Sequence, residues 1–567
     1  MERYPGAEAF VEVLNAWGVD SIFFNPGGEQ APIQATIATN RMLGKPTPRL
    51  ILCLDESVAM TAAHGHYIVS GKPQLVMVHS ELGTQQVGGA MHNAQWGRVP
   101  LILWAGFAGT PQRQNWKQEA YDQGLMVRNS VKWDHQINPD ESIHEVLTEA
   151  FKAAMTEPRG PVYLSYGRDI WSKRIDRVRV APSAIQSLPA PTPSDLAKAA
   201  EILVSASNPL IVAGYTSRYP ETIPALIELA ETLGAPVLTS QVCLNFPTTH
   251  PLSAGIEQIL GSVKGNPYIG DADAIAVFDY DVPYAAAAGM PKPDTKIVQF
   301  DVDPLTQGRP LWGRGANLFV KTDSRQAIPL LTQALRNRML PALRTDCEER
   351  ARKLAATHRQ WKTEWRSRAL ADASKRPISP DWLCRSLADV MDEEMILVNH
   401  TISHSASPLE QIERSQPGTL IGCPAGSIMF ALGAAFGAKV AAPQKTVVSV
   451  MTDGGFVWGA PVATLWSARA YKAPFLSVIC DNQSYGFIHG LVRRTAGESE
   501  SGFSDKMAFE AGVDFVPPAD YAGVAEACGA YGKTVEEPDE VPEVLRTAMD
   551  EVQHGRAAVV DARLDRP

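Results

Sequence analysis

Asp453 and Asn482 stand 29 residues apart, each at the end of an apolar run. The run Val447–Met451 leads into Asp453 and a Gly454–Gly455 turn, and the run Phe475–Cys480 leads into Asn482. Two buried parallel strands joined by a helix use about that much chain. The spacing therefore predicts that both polar side chains emerge at the carboxyl ends of neighbouring strands, the edge where open α/β sheets take ligands. A carboxylate, an amide oxygen and nearby backbone carbonyls form a hard-oxygen set suited to Mg2+. Such an ion needs an anionic partner, and a diphosphate has the charge and the oxygens for it.

A second group of chemically capable residues lies in the first fifth of the chain. From Leu50 to Gly106 the pattern reads strand, helix, strand, helix, strand. Glu56 follows the run Leu50–Leu54 and opens a helix of small residues. Desolvation raises the pKa of a carboxylate placed there, and the helix amino end lowers it. His79 ends the next strand, followed by Ser80, Gly83 and Thr84. An imidazole at a strand end is suited to shuttling a proton near neutral pH.

The two segments together resemble the thiamin-diphosphate enzymes, whose signature is a Gly-Asp-Gly turn followed one strand–helix–strand unit later by Asn. Thr452 replaces the first Gly of that turn, and the stretch Asp453–Leu465 is longer than the family pattern. The resemblance implies thiamin diphosphate and Mg2+ as cofactors, and it implies roles for particular residues. Asp453, Asn482 and the backbone carbonyl of Ser484 would hold the metal, beside Gly454 and Gly455. Glu56 would hydrogen-bond the aminopyrimidine and favour the tautomer that removes the thiazolium C2 proton. In "CPAGSIMFALGAAFG" the Gly426 carbonyl would accept from the 4′-amino group, and Ile428 would wedge the cofactor into its bent form. In "VNHTISHSAS" Ser403 is the expected diphosphate donor.

Within that family, the strand ending His79-Ser80 with Gly83-Thr84 beyond it is similar to the benzoylformate decarboxylases, which implies that His79 faces the substrate carbonyl. Two positions depart from those relatives. Gly28 stands where they carry a serine, and Asp281 where they carry a second catalytic histidine. His489 is a further catalytic candidate, on the segment that flanks the thiazolium in the family. His400 and His404 fall in the diphosphate loop. His64, His66 and His92 are expected on helix surfaces or in structural bonds. Arg493 and Arg494 read as a solvated helix end, and Phe456, Trp458 and Phe487 as the wall of an apolar pocket.

The elements that must position these groups follow from the rest of the chain. Its 567 residues, 45% of them hydrophobic, suffice for several large cores. The proline-rich stretch Ala181–Asp195 reads as an extended connector. Beyond it, "PLIVAGY", "APVLTS", "AIAVFDY" and "KIVQFDV" alternate with helical patterns, which implies a second doubly wound sheet. A long charged helix, roughly Leu340 to Ala371, leads to Ser379 as N-cap and Pro380 at the first helical position. The expected fold class is α/β, with three doubly wound parallel-sheet domains: 1–180 carrying Glu56, 195–340 central, and 375–567 carrying Asp453 and Asn482. This is the family's domain order. It implies a homodimer or homotetramer whose sites are shared between subunits.

Composition excludes other classes. The net charge of −10 argues against a nucleic-acid partner. No apolar run reaches the length of a membrane span, and the amino terminus reads as an amphipathic helix rather than a signal peptide. Seven dispersed cysteines without a CxxC pair imply reduced thiols and a cytoplasmic chain. A GxGxxG fingerprint is absent, which argues against a nicotinamide dehydrogenase, and the pattern leaves open whether the central domain takes FAD or ADP. The leading expectation is a small carbonyl substrate and non-oxidative decarboxylation of a 2-oxo acid. The alternatives are a carboligase of the acetolactate synthase type, a 2-hydroxyacyl-CoA lyase, and a catalytically silent binding protein of the same fold.

Overall fold

The computed structural model describes residues 3–109, 115, 118–177, 180–182, 184–257, 266–281, 289–305, 315–497 and 502–566. Three six-stranded parallel sheets organise it. The first is built from β2 (Ser21–Asn25), β3 (Arg49–Leu52), β4 (Gln74–Val78), β5 (Leu101–Phe107), β6 (Trp133–Ile137) and β7 (Val162–Gly167). Its order is β3-β2-β4-β5-β7-β6. A short antiparallel ribbon of β1 (Arg3–Pro5) and β8 (Arg174–Asp176) ties its two ends. The central sheet contains β9 (Pro209–Ala213), β10 (Val237–Ser240), β11 (Ser253–Glu257), β12 (Ala274–Phe278), β13 (Lys296–Asp301) and β14 (Leu318–Lys321), in the order β11-β10-β9-β12-β13-β14. The third contains β15 (Ile396–His400), β16 (Leu420–Gly422), β17 (Val447–Thr452), β18 (Leu476–Asp481), β19 (Tyr531–Val535) and β20 (Ala558–Arg563), in the order β16-β15-β17-β18-β20-β19.

The central strands are apolar runs covered on both faces, as parallel sheets require. β4, β5 and β18 are buried along their whole length. The first and third sheets share one apolar core, which includes Val76 and Leu103 from one and Ile396 and Ile479 from the other. Two helices, Glu56–Ser70 and Phe430–Ala441, make the join. A Cβ on Gly65 would stand 2.1 Å from the Ala434 carbonyl oxygen, and one on Gly437 would stand 1.8 Å from that of Ala62. Only glycine permits such an approach, and it fixes where the Glu56 helix sits against the third sheet.

The first and central sheets meet through buried charge. Arg98 Nη2 donates to Asp281 at 2.9 Å and to Asp301 at 3.3 Å, and its guanidinium lies over the Tyr215 ring. Arg218 bridges Glu157 and Asp279, each at 2.9 Å. Against the burial that would raise it, Arg218 and Arg159 hold Glu157 down at about 2. The long helix is observed at Pro341–Ala371, and Pro380 opens the next one. Ser379 occupies the N-cap position, but its hydroxyl donates to Asp372 instead of capping.

Candidate active site

In the first sheet the crossovers reverse between β2 and β4, so a crevice opens between their carboxyl ends. Beyond β2 the chain makes a glycine-rich turn, Gly27–Gly28, that delivers Glu29 into this crevice. Beyond β4 it delivers His79, the N-cap residue of a short helix, Ser80–Gln86. Both carboxylate oxygens of Glu29 lie 3.1 Å from His79 Nδ1, and Oε1 also accepts the Ser80 N–H at 3.1 Å. The Gln118 amide nitrogen stands 2.7 Å from His79 Nε2. Glu29 is 93% buried between two glycines. A Cβ on Gly106 would lie 1.9 Å from its Cγ, and one on Gly27 would lie 1.9 Å from His79 Nδ1. The carboxylate–imidazole–amide chain opens onto a cavity of about 200 Å³ that Gly28 and Arg168 also line.

Glu56 is the first residue of its helix, whose N-cap, Asp55, accepts from the Ser57 and Val58 N–H groups. Its carboxyl is half-buried in the single chain. It lies against Gly83, where a Cβ would stand 3.0 Å from Glu56 Oε1. The Gly83 N–H in turn donates to the His79 carbonyl. Glu56 and His79 thus belong to one neighbourhood at the carboxyl edge of the first sheet.

The third sheet reverses in the same way between β15 and β17, which brings the ends of β15 and β17 to one crevice, with β18 adjoining. Asp453 is buried, with Oδ1 accepting from the Gly454 N–H at 2.7 Å. The Ser484 N–H is shared between Asp453 Oδ2 at 3.3 Å and Asn482 Oδ1 at 3.2 Å. Two oxygens from separate strand ends therefore converge on one point. Burial, reinforced by the neighbouring Asp481 carboxyl, pushes Asp453 up to about 8; a cation set against it would restore the charged form. Among the described residues no three His, Cys, Asp or Glu side chains are arranged to hold a metal ion by themselves. The donor set is one carboxylate with amide and carbonyl oxygens, which fits Mg2+ better than a transition metal.

The Gly-to-Thr change at 452 has a local explanation. Thr452 caps the helix Asp453–Trp458 by accepting the Gly455 N–H at 3.0 Å. The longer stretch that follows divides at Ala460, which adopts φ of 46°, into a second helix, Pro461–Ala470. Gly426 has φ of 79° and borders a small cavity with His400, Ser405 and the central sheet's Gln241. A Cβ on Gly455 would lie 3.4 Å from the Ile428 carbonyl oxygen, so the Gly426–Ile428 loop adjoins the Asp453 turn. Asn93 of the first sheet's helical layer clamps that loop, donating to the Ser427 carbonyl and accepting its N–H.

The other expected positions lie as follows. Ser403 is exposed on a 3-10 turn, whereas Ser405 lines the cavity. His489 is buried edge-on against Phe503. His64 is not on a helix surface: it is fully buried, and neither ring nitrogen has a partner among the described residues. Phe456 is a core residue, while Trp458 and Phe487 are exposed. Asp281 is the ion-pair partner of Arg98 rather than a free acid. Sequence reasoning missed Glu29, for which the only signal was the run of glycines before it. Arg493 and Arg494 occupy the last turn of the helix Gly486–Thr495, as expected.

The chain is similar to known proteins along most of its length. The family described as "Thiamine pyrophosphate enzyme, N-terminal TPP binding domain" matches residues 5–126, its central domain matches 196–328, and its C-terminal TPP binding domain matches 404–562. Benzoylformate decarboxylase of Pseudomonas aeruginosa is 27% identical over 560 residues, covering 95% of this chain and 96% of that one. A probable acetolactate synthase large subunit of Methanocaldococcus jannaschii is 25% identical, covering 96% and 90%. The solved structure of a thiamine diphosphate-dependent 4-hydroxybenzoylformate decarboxylase from Rhodococcus jostii superposes with a TM-score of 0.78 at 22% identity over the full length of both chains.

Proposed function

Because the chain belongs to the thiamine pyrophosphate enzyme family, we propose that it is a thiamin-diphosphate- and Mg2+-dependent lyase acting next to a carbonyl, and that its reaction is the non-oxidative decarboxylation of a 2-oxo acid. The observation that carries the reaction class is the Glu29-held His79 at the mouth of a substrate-sized cavity. Bound thiamin diphosphate supplies the carbanion chemistry that a protein side chain cannot.

The chain's own residues do the rest. Asp453, Asn482 and the Ser484 carbonyl would hold Mg2+, whose charge would offset that of the diphosphate. Gly426 and Ile428 shape the seat of the ring system, and Glu56 holds a proton at the pyrimidine nitrogen. His79, with Nδ1–H fixed on Glu29, presents Nε2 to the substrate carbonyl oxygen and can give or take its proton there once substrate displaces Gln118. His489, edge-on to Phe503 on the segment after Asn482, is the further catalytic candidate.

The complete site takes two chains. In the single chain the His79 cavity is lined only by first-sheet residues, and the Gly426 cavity only by third- and central-sheet residues. The helices flanking Asp453 and Asn482 also expose Val457, Trp458, Val462, Phe487 and Ile488, an apolar surface that a second copy would cover. Product analysis by the purified protein with thiamin diphosphate, Mg2+ and a panel of 2-oxo acids tests the reading. Stoichiometric carbon dioxide and aldehyde support it. A ligated hydroxy-ketone places the chain among the carboligases, and no turnover of any member refutes the decarboxylase.

A further inference from the structure

Arg168 begins the short turn that follows β7 and lines the cavity of about 200 Å³ into which Glu29 and His79 project. Three features make its position informative. It is exposed and has no hydrogen bond or ion pair with any described residue. Among the described residues that line the cavity it is the one arginine or lysine, and the carboxylate there, Glu29, is committed to His79. And the lining is open at Gly28: a Cβ there would meet no described atom within 4 Å, so packing does not require glycine.

The described lining thus offers an anionic substrate one buried carboxylate, Glu29, and one exposed guanidinium, Arg168. The carboxylate that leaves as carbon dioxide must lose its charge as the bond breaks. A guanidinium paired with it would stabilise the ground state more than the transition state and slow the reaction. Arg168 therefore serves catalysis only if it pairs with a different anion. We propose, building on the functional reading above, that the substrate is a 2-oxo acid bearing a second anionic group at the end remote from the reacting carbonyl, and that Arg168 holds that group. A carboxylate, sulfonate or phosphonate would satisfy the guanidinium fork.

The test uses the enzyme loaded with thiamin diphosphate and Mg2+. 2-Oxopentanoate and 2-oxoglutarate share a chain length and differ in a terminal methyl against a carboxylate; 3-sulfopyruvate and 3-phosphonopyruvate separate the other anions. The expected result is a kcat/KM at least tenfold higher for one of the doubly charged acids than for 2-oxopentanoate. In Arg168→Gln that selectivity should collapse by roughly 10–100-fold, chiefly through KM, with partial recovery in Arg168→Lys. Equal loss on singly and doubly charged acids would mean that Arg168 binds the reacting carboxylate, and it would overturn the proposal, as would undiminished selectivity. Should none of the acids be turned over, calorimetry with glutarate against pentanoate decides. Glutarate binding that Arg168→Gln weakens tenfold upholds the anion subsite while the decarboxylase reading falls, and no preference for glutarate overturns the subsite.

Discussion

His79 is held at both ring nitrogens: Glu29 accepts from Nδ1 at 3.1 Å, and the Gln118 amide reaches Nε2 at 2.7 Å. The carboxylate fixes the tautomer and orientation of the ring, which leaves Nε2, against the Gln118 amide, as the nitrogen a substrate would have to reach.

His79→Ala should therefore lose roughly two to four orders of magnitude in turnover while keeping cofactor affinity, the usual worth of a positioned acid or base. Glu29→Ala should follow it part of the way, and Glu29→Gln, which keeps the shape, should retain more. Gly27→Ala should mimic His79→Ala, since its Cβ would overlap Nδ1. Steady-state kinetics with a thermal melt as control checks all four. A Gly27→Ala enzyme with full turnover and an unchanged melt would contradict the geometry.

Asp453→Ala removes one of the two oxygens that meet at the Ser484 amide. Calorimetric titration should show thiamin diphosphate affinity losing its dependence on Mg2+, with the circular dichroism unchanged. Affinity that still rises with Mg2+ in this variant would remove Asp453 from the metal site.

Glu56→Gln keeps the size of the side chain but cannot share a proton with the pyrimidine nitrogen. Exchange of the cofactor's C2 proton with deuterium, followed by NMR after acid quench, should slow by orders of magnitude relative to wild type. His79→Ala should leave that exchange nearly unaffected, which separates the two residues. Wild-type exchange in Glu56→Gln would exclude the role.

Burial holds His64 near 3, well below its ordinary 6.5. Between those values the unfolded chain binds a proton that the folded chain refuses. The stability that a neutral His64 contributes is thus complete above about 6.5 and drains away as pH falls toward 3. At pH 5 the loss from this one site is about 2 kcal/mol. His64→Leu, apolar and of similar size, should show a smaller drop in melting temperature between pH 7.5 and pH 5 than wild type. An identical drop in both would show that His64 does not govern the acid side.

The strands that carry Asp453 and Asn482 were legible because parallel strands buried on both faces are unbroken apolar runs, and these are observed at Val447–Thr452 and Leu476–Asp481. The Glu56 helix begins where its small-residue pattern begins. Glu29 was not legible. Its role depends on a partner 50 residues away and on two glycines, Gly27 and Gly106, that only the folded sheet brings against it. Ser403 and Ser405 differ by two positions on a tight turn, and spacing alone cannot say which of them turns inward. The burial of His64 likewise comes from a helix of another domain, Phe430–Ala441, packing over it.

The first and third sheets share one strand order, and each reverses its crossovers between its equivalent central strands. The central sheet has a different order; Arg218 and Asp279 are paired at the ends of its β9 and β12, and a Cβ on Gly214 would lie 2.3 Å from the Asp279 carbonyl oxygen. Two sheets of one order place two crevices of the same kind in one chain. One crevice gathers the Asp453 and Asn482 oxygens, and the other the Glu29–His79 pair. An insertion that shifted either crevice by one strand would part the side chains that meet there.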